Sequence, residues 1–301
     1  MRISVLQQCL KGGYTAADGT PDPVLMKQTT EENLNHCFQM LEQAAAEGAD
    51  LAVTTETVNA FGAPGDKRLS FPELFEGLDG VQVKRFSEAA KKHHMHIVAG
   101  LLLTMEGKTY NCAVLFDRKG DIVGIHKKVH LPAGEEVNIT PGDGFEVFHT
   151  ELGNIGMLVC WDMQFPESVR ELALGGADLI CCPTLGWENI YGLARAYESS
   201  VSIAAAMAGY EGGYGGYDDP ACIVNNMGRI IAAGPRNGAA VVTADLNITK
   251  EPDPQYGSQA FYPSHSMRKT RFSQRRPDAY RLIHAPLEET PLYQRYFGEE
   301  E

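Results

Sequence analysis

Positive charge is scarce in this chain. Its 301 residues carry 26 Lys and Arg against 39 Asp and Glu, a formal net charge of −13. Nucleic acid and anionic membrane both need a basic face, so neither is an expected partner. A long apolar run is also missing. The stretch Ile203 to Ala208 is too short and too rich in small residues to span a bilayer. The opening Met1-Arg2-Ile3-Ser4-Val5-Leu6 lacks the apolar length and the small-residue cleavage site of a secretory leader. Cysteine is present but without pattern. There are seven, two of them adjacent at Cys181 and Cys182, and no C-x-x-C pair. That fits neither a secreted disulfide framework nor a zinc site, and reduced thiols in a cytoplasmic protein are expected. The cluster His93-His94-Met95-His96 has no Cys or carboxylate pattern beside it. It is expected to be a solvated helix terminus, with no metal.

Hydrophobic residues make up 44% of the sequence, enough for a sizeable core. Strand and helix signals alternate, which implies an α/β fold, and no linker interrupts them, so one domain over residues 1–301 is expected. Strands are expected at 2–9, 50–55, 96–103, 178–183 and 239–244. Hairpins are expected at 110–117 with 121–127, turning at Asp117-Arg118-Lys119-Gly120, and at 221–226 with 229–233, turning at Met227-Gly228. Helices are expected at 30–47, capped by Thr29 with Glu32 and stopped at Gly48, and at 80–92, 166–175 and 188–207. The hairpins make the sheets mixed rather than purely parallel. Gly48-Ala49-Asp50-Leu51 returns as Gly176-Ala177-Asp178-Leu179, each before a strand. Two similar halves would produce that echo, and so would chance reuse of a common turn.

Three residues suggest chemistry. Cys160 ends the apolar run Ile155-Gly156-Met157-Leu158-Val159 and is followed by Trp161-Asp162-Met163-Gln164-Phe165-Pro166-Glu167. A thiol at a strand end, before a Pro-initiated helix, can be held rigidly and still reach a pocket. Glu56 ends the run Asp50 to Thr55. A carboxylate there is costly unless it has a partner or a task, and its proximity to a thiol would supply a base. Lys128 lies in His126-Lys127-Lys128-Val129-His130-Leu131. Taken singly, a strand-end cysteine is most often core packing and a lysine beside Lys127 a solvated charge. The six other cysteines keep the packing reading.

Glu, Lys and Cys in this order resemble the catalytic set of the nitrilase (carbon–nitrogen hydrolase) superfamily. The likeness spans roughly residues 2–245. It includes Tyr110-Asn111, Gly120, Gly124, Lys128-Val129-His130-Leu131, Pro141-Gly142, Phe165-Pro166-Glu167 and Arg195-Ala196-Tyr197-Glu198. Two positions depart from the family pattern, Thr55 where proline is frequent and Ala221 where serine is frequent. The resemblance implies a four-layer α-β-β-α sandwich of two mixed sheets. It implies Cys160 as nucleophile, Glu56 as general acid and base, and Lys128 with the Trp161 backbone N–H as oxyanion donors. Glu135, six before Pro141, is the expected second carboxylate, with Glu136 the alternative. His130 is expected to make a structural hydrogen bond near the substrate. Trp187, in the loop 186–192, and Glu198, on the helix after it, are further candidates around the pocket. The Gly- and Tyr-rich stretch 209–219 and the segment 60–70 are expected pocket edges.

Acyl transfer through a thioester needs no metal or organic cofactor. The expected substrate is a small amide. N-carbamoyl compounds and nitriles are the alternatives, and an idle oligomeric binding protein on the same fold is the non-enzyme alternative. The family also implies at least a homodimer, with residues 246–301 as an extension packing at the interface.

Overall fold

Two mixed sheets of six strands each form an α/β sandwich with helices in the computed structural model. It describes residues 1–12, 20, 22–59, 75–209, 218–248 and 267–297. The chain divides into two units, Met1–Lys250 and Glu251–Glu301. In the first unit, β1 (Arg2–Gln7), α1 (Pro23–Ala46), β2 (Leu51–Val53), α2 (Val81–His93), β3 (His96–Met105), β4 (Lys108–Phe116) and β5 (Ile122–Lys127) come first. Then come β6 (Val147–Thr150), β7 (Gly153–Met157), α3 (Pro166–Leu174), β8 (Leu179–Thr184), α4 (Asn189–Ser199) and β9 (Ser202–Met207). The unit closes with β10 (Cys222–Val224), β11 (Ile230–Ala233) and β12 (Ala240–Asp245). The described part of the second unit carries α5 (Met267–Ser273), short 3-10 turns and α6 (Pro291–Tyr296).

Strand order is β12-β1-β2-β3-β4-β5 in one sheet and β11-β10-β9-β8-β7-β6 in the other. Each sheet has a parallel triplet, β1-β2-β3 and β7-β8-β9, flanked by antiparallel neighbours. The strands of the triplets are buried almost throughout, as strands covered on both faces must be.

The repeated Gly-Ala-Asp junction is a structural repeat. Gly48 and Gly176 both take positive φ, 79° and 98°, where glycine carries no Cβ penalty. Asp50 and Asp178 then sit at the start of each triplet's central strand. The backbone N–H of Asp50 donates to Arg2 O and that of Asp178 to Asn154 O, both at 2.8 Å. Their carboxylates accept from the backbone N–H of the same two residues, at 2.8 and 3.1 Å.

Several sequence expectations are corrected. The first helix starts at Pro23, not residue 30. Asp22 caps it, accepting from Val24 N at 2.9 Å and Leu25 N at 3.2 Å, and proline stands in the first turn where its missing N–H costs nothing. Thr29 is instead buried within the helix. The expected helix over 188–207 is two elements. Ser200 takes φ 52° and ends α4. The Ala-rich segment after it is a strand, paired with β8 on one side and β10 on the other. Alanine favours helix by itself, but burial on both sides of a ladder overrides propensity. The β6–β7 hairpin was not expected. His93 ends α2 and His94 is its left-handed cap, whereas His96 is fully buried at the start of β3 rather than solvated. Residues 60–70, and 210–217 of the Gly- and Tyr-rich stretch, lie outside the described residues.

Candidate active site

Beyond β2 the chain leaves the ladder, and a set of clamps fixes its path. Thr54 Oγ1 accepts from Gly100 N at 2.9 Å, and Val58 N donates to Gly100 O at 3.0 Å. Asn59 pairs with both backbone groups of Leu102 at 2.9 Å. Gly100 permits this closeness. A Cβ there would lie 2.4 Å from Thr55 O and 2.8 Å from both Glu56 Cα and Pro183 Cβ. Glu56, 3% exposed, therefore sits where the end of β2 meets the second sheet. Its Oε1 accepts from Lys128 Nζ at 3.0 Å and Asn111 Nδ2 at 2.8 Å, and its Oε2 from Leu185 N at 3.0 Å.

Lys128 follows β5 and is 2% exposed. Its N–H donates to Asn111 O and its carbonyl accepts from Gly142 N, both at 2.8 Å. Gly142 is required there, since a Cβ would lie 2.2 Å from Lys127 O. The ammonium bridges Glu56 and Glu135, reaching Glu135 Oε2 at 2.7 Å. Asn111 Nδ2 also joins the two carboxylates, donating to Glu135 Oε1 at 2.9 Å. Burial opposes the charge on Lys128, but Glu56, Cys160 and Glu135 together outweigh it and hold its pKa above the ordinary lysine value. Burial, with Glu56 nearby, raises the Glu135 carboxyl despite Lys128 and Asn111.

Cys160 opens a 3-10 turn after β7 with φ 44°. A left-handed non-glycine residue costs on the order of 1–3 kcal/mol and persists only when its surroundings enforce it. The first bond of the turn runs from Asp162 N to Val159 O at 3.0 Å, so the Trp161 N–H stands ahead of it. Burial and Glu56 push the thiol up to about 11, against Lys128, Thr184 and the Leu185 N–H, which favour the thiolate. The other cysteines are buried apart from Cys9, which like Cys160 is half-buried.

The structure thus joins Glu56, Lys128, Glu135 and Cys160 in one cluster. The remaining candidates fall elsewhere. Glu136 is exposed one residue past Glu135. Trp161 is 40% exposed. His130 turns to Asp162, with its Nδ1 3.0 Å from Oδ1, and its ring stacks on Phe165. Glu198 pairs with Arg195 at 3.3 Å on α4. Trp187 has no exposed surface. Its Nε1 donates to Asn189 Oδ1 at 3.0 Å, and Gly192 makes room for its ring, so it supports the loop from behind. Asn111, Leu185 and Asp162 join the site without a mark of their own in the sequence. Asn111 follows Tyr110 in a family-like pair, Asp162 stands two places after Cys160, and its charge beside that thiol is the one signal for it.

A two-sheet sandwich that brings a carboxylate, an ammonium and a thiol together at its strand ends has the make-up of a thiol-dependent hydrolase. Residues 16–250 match the family model of the carbon–nitrogen hydrolases. "Probable nitrilase C965.09" of Schizosaccharomyces pombe is 30% identical over 69% of this chain and 76% of its own length. The omega-amidase NIT2 of Xenopus tropicalis is 29% identical over 74% of this chain and 86% of its own. Among solved structures, an amidase from Nesterenkonia sp. AN1, with acrylamide added at its active-site cysteine, superposes with a TM-score of 0.68 at 24% identity. That alignment covers 82% of this chain and 93% of that one. The chain belongs to the carbon–nitrogen hydrolase family, and it is a thiol-dependent enzyme acting on carbon–nitrogen bonds.

Proposed function

We propose that the enzyme hydrolyses the carboxamide of a small molecule through a thioester on Cys160 and releases ammonia. The observation that carries this reading is the Lys128 ammonium held between Glu56 and Glu135 beside the thiol. Burial and Glu56 hold the thiol above its ordinary pKa, so it rests protonated at pH 7. The proton must therefore leave as the sulfur attacks, and Glu56 is the base that takes it. The new C–S bond pushes the carbonyl electrons onto oxygen, where Lys128 and the Trp161 N–H receive the charge. Losing one such donor costs about 3–4 kcal/mol of barrier. Collapse of the intermediate breaks the C–N bond, and Glu56 returns its proton to the departing nitrogen. Water, deprotonated by Glu56, then attacks the thioester carbonyl; the C–S bond breaks, the acid leaves, and Glu56 returns the proton to the Cys160 sulfur. Glu135 and Asn111 keep Lys128 and Glu56 aligned throughout. The omega-amidase relative and the amidase neighbour support an amide as substrate.

The test is ammonia release across a panel of small amides, N-carbamoyl amino acids and nitriles, beside Cys160→Ala. Release from amides with wild type alone is expected, together with a thioester adduct on Cys160 by intact mass. A Cys160→Ala enzyme with wild-type rates would overturn the mechanism. A homodimer or larger assembly belongs to this reading, with residues 246–301 at the interface. Exposed Leu282, Ile283, Leu292 and Phe297 in that stretch support it. A monomer mass by light scattering at micromolar concentration would count against it.

A further inference from the structure

Asp162 is fully buried, yet its carboxylate is approached by five hydrogen-bonding groups. Oδ1 lies 2.9 Å from His130 N, 3.2 Å from Val129 N and 3.0 Å from His130 Nδ1. Oδ2 lies 3.1 Å from Val159 N and 2.9 Å from His126 Nε2. The donors come from two places. Val129 and His130 directly follow Lys128, and His126 is next to last in β5, so these lie at the edge of the first sheet. Val159 directly precedes Cys160 and belongs to the second. Aromatic rings hold the imidazoles in place. His130 lies 3.7 Å from Phe165 between ring centroids, and His126 lies 5.7 Å from Phe145. Burial alone would raise the carboxyl, but hydrogen bonds from His126 and His130 outweigh it, and Asp162 is held well below the usual carboxylate range. An ionised carboxylate only accepts, so both ring nitrogens carry a hydrogen toward it.

We propose that Asp162 is a positioning residue that locks the Lys128 segment to the Cys160 turn. Its side chain and its own N–H take both backbone groups of Val159, one residue before the strained φ of Cys160. The same carboxylate holds the two backbone N–H groups that follow Lys128. One buried anion thereby sets the distance between the ammonium that receives the oxyanion and the sulfur that creates it. Charge-assisted hydrogen bonds are about twice as strong as neutral ones, which suits a tie between two sheets. This inference rests on the amide-hydrolase reading for its kinetic test, and a second readout stands apart from that reading.

The experiment compares wild type, Asp162→Asn, His130→Leu and His130→Asn. It measures kcat and KM on the amide found to turn over, and thermal unfolding. It also follows the pH profile of iodoacetamide labelling at the Cys160 peptide by mass spectrometry. Asp162→Asn is nearly isosteric but turns an acceptor into a donor against groups that only donate. A displacement of about 1 Å at a reacting group costs on the order of 100-fold. So kcat should fall about 100-fold with KM within about threefold. The labelling midpoint should move upward. The groups facing the thiol are Glu56, Lys128, Thr184 and the Leu185 N–H, with Cys182 on β8 and Tyr191 on α4, and a displaced Lys128 favours the thiolate less. His130→Leu should lose about tenfold in kcat, and His130→Asn, which returns an N–H near the Nδ1 position, should recover most of it.

A folded Asp162→Asn enzyme with wild-type kcat and an unmoved labelling midpoint would overturn the proposal. So would a loss that follows only the unfolded fraction. Should Asp162→Asn not fold, the His130 pair decides. Recovery of kcat in His130→Asn supports the lock, whereas a KM effect with unchanged kcat makes His130 a substrate contact and overturns it. Should wild type hydrolyse no amide, the functional reading fails and the labelling midpoint still decides the role of Asp162.

Discussion

Gly100→Ala tests whether the placement of Glu56 depends on the approach of two backbones. The added Cβ would fall 2.4 Å from Thr55 O, and real contacts of this kind do not go below 3.0 Å, so the backbone must open by at least about 0.6 Å. Thr55 O and the Glu56 Cα are backbone atoms and cannot rotate away. The third neighbour, Pro183 Cβ, belongs to a rigid ring on β8. The strain is therefore passed to the 54–59 turn or to the gap between the sheets. Overpacking of this kind costs about 1–3 kcal/mol. In a chain of this size each of those lowers Tm by about 2–4 °C. A displacement of that order at the base is expected to lower kcat by about 10- to 100-fold, with a smaller change in KM. The assay is steady-state ammonia release with Tm measured on the same preparation. An Ala variant with wild-type kcat and Tm would refute the argument that this contact seats the carboxylate.

Two further perturbations have defined outcomes. Lys128→Met removes the cation shared by Glu56 and Glu135 and leaves one buried and one half-buried carboxylate without it. It should destabilise the fold by about 3–5 kcal/mol in denaturant titration and abolish turnover, and a variant as stable as wild type would contradict the pairing. His96 is fully buried, and burial lowers its pKa below the ordinary 6.5 despite Glu151 nearby. The unfolded chain then binds the proton more readily. Stability from neutral His96 is complete above about 6.5 and is lost as pH falls through the folded pKa. Wild type should lose Tm between pH 7.5 and 5 more steeply than His96→Gln, and parallel curves would refute this.

The parts legible in the sequence were those set by local chemistry. Cys160, Glu56 and Lys128 each close a strand-like run, and the echo at Asp50 and Asp178 follows from two glycines that must turn left-handed. What escaped depends on distant partners. Ser202–Met207 reads as helix because alanine carries no mark of the two strands that flank it. Asp162 reads as one acidic residue beside a tryptophan, and its five donors come from segments around residues 126–130 and 159. Trp187 has the look of a pocket aromatic, but the absent Cβ of Gly192 draws its ring inward. In each case the deciding atoms belong to an element that a linear reading does not place alongside.

The paired Asp50 and Asp178 junctions have a consequence for how changes in this sequence act. Each aspartate ties its triplet at the ends where the parallel strands begin, while Glu56, Cys160 and Leu185 follow the ends where such strands finish. Anchoring and reactivity thus occupy opposite rims of the same sheets. Alterations at the anchoring rim should be felt as changes in how much folded enzyme survives. Those at the reactive rim should change what each surviving molecule does. Gly100 and Asp162 fall on the reactive side, so their variants belong in activity assays before heat-tolerance screens.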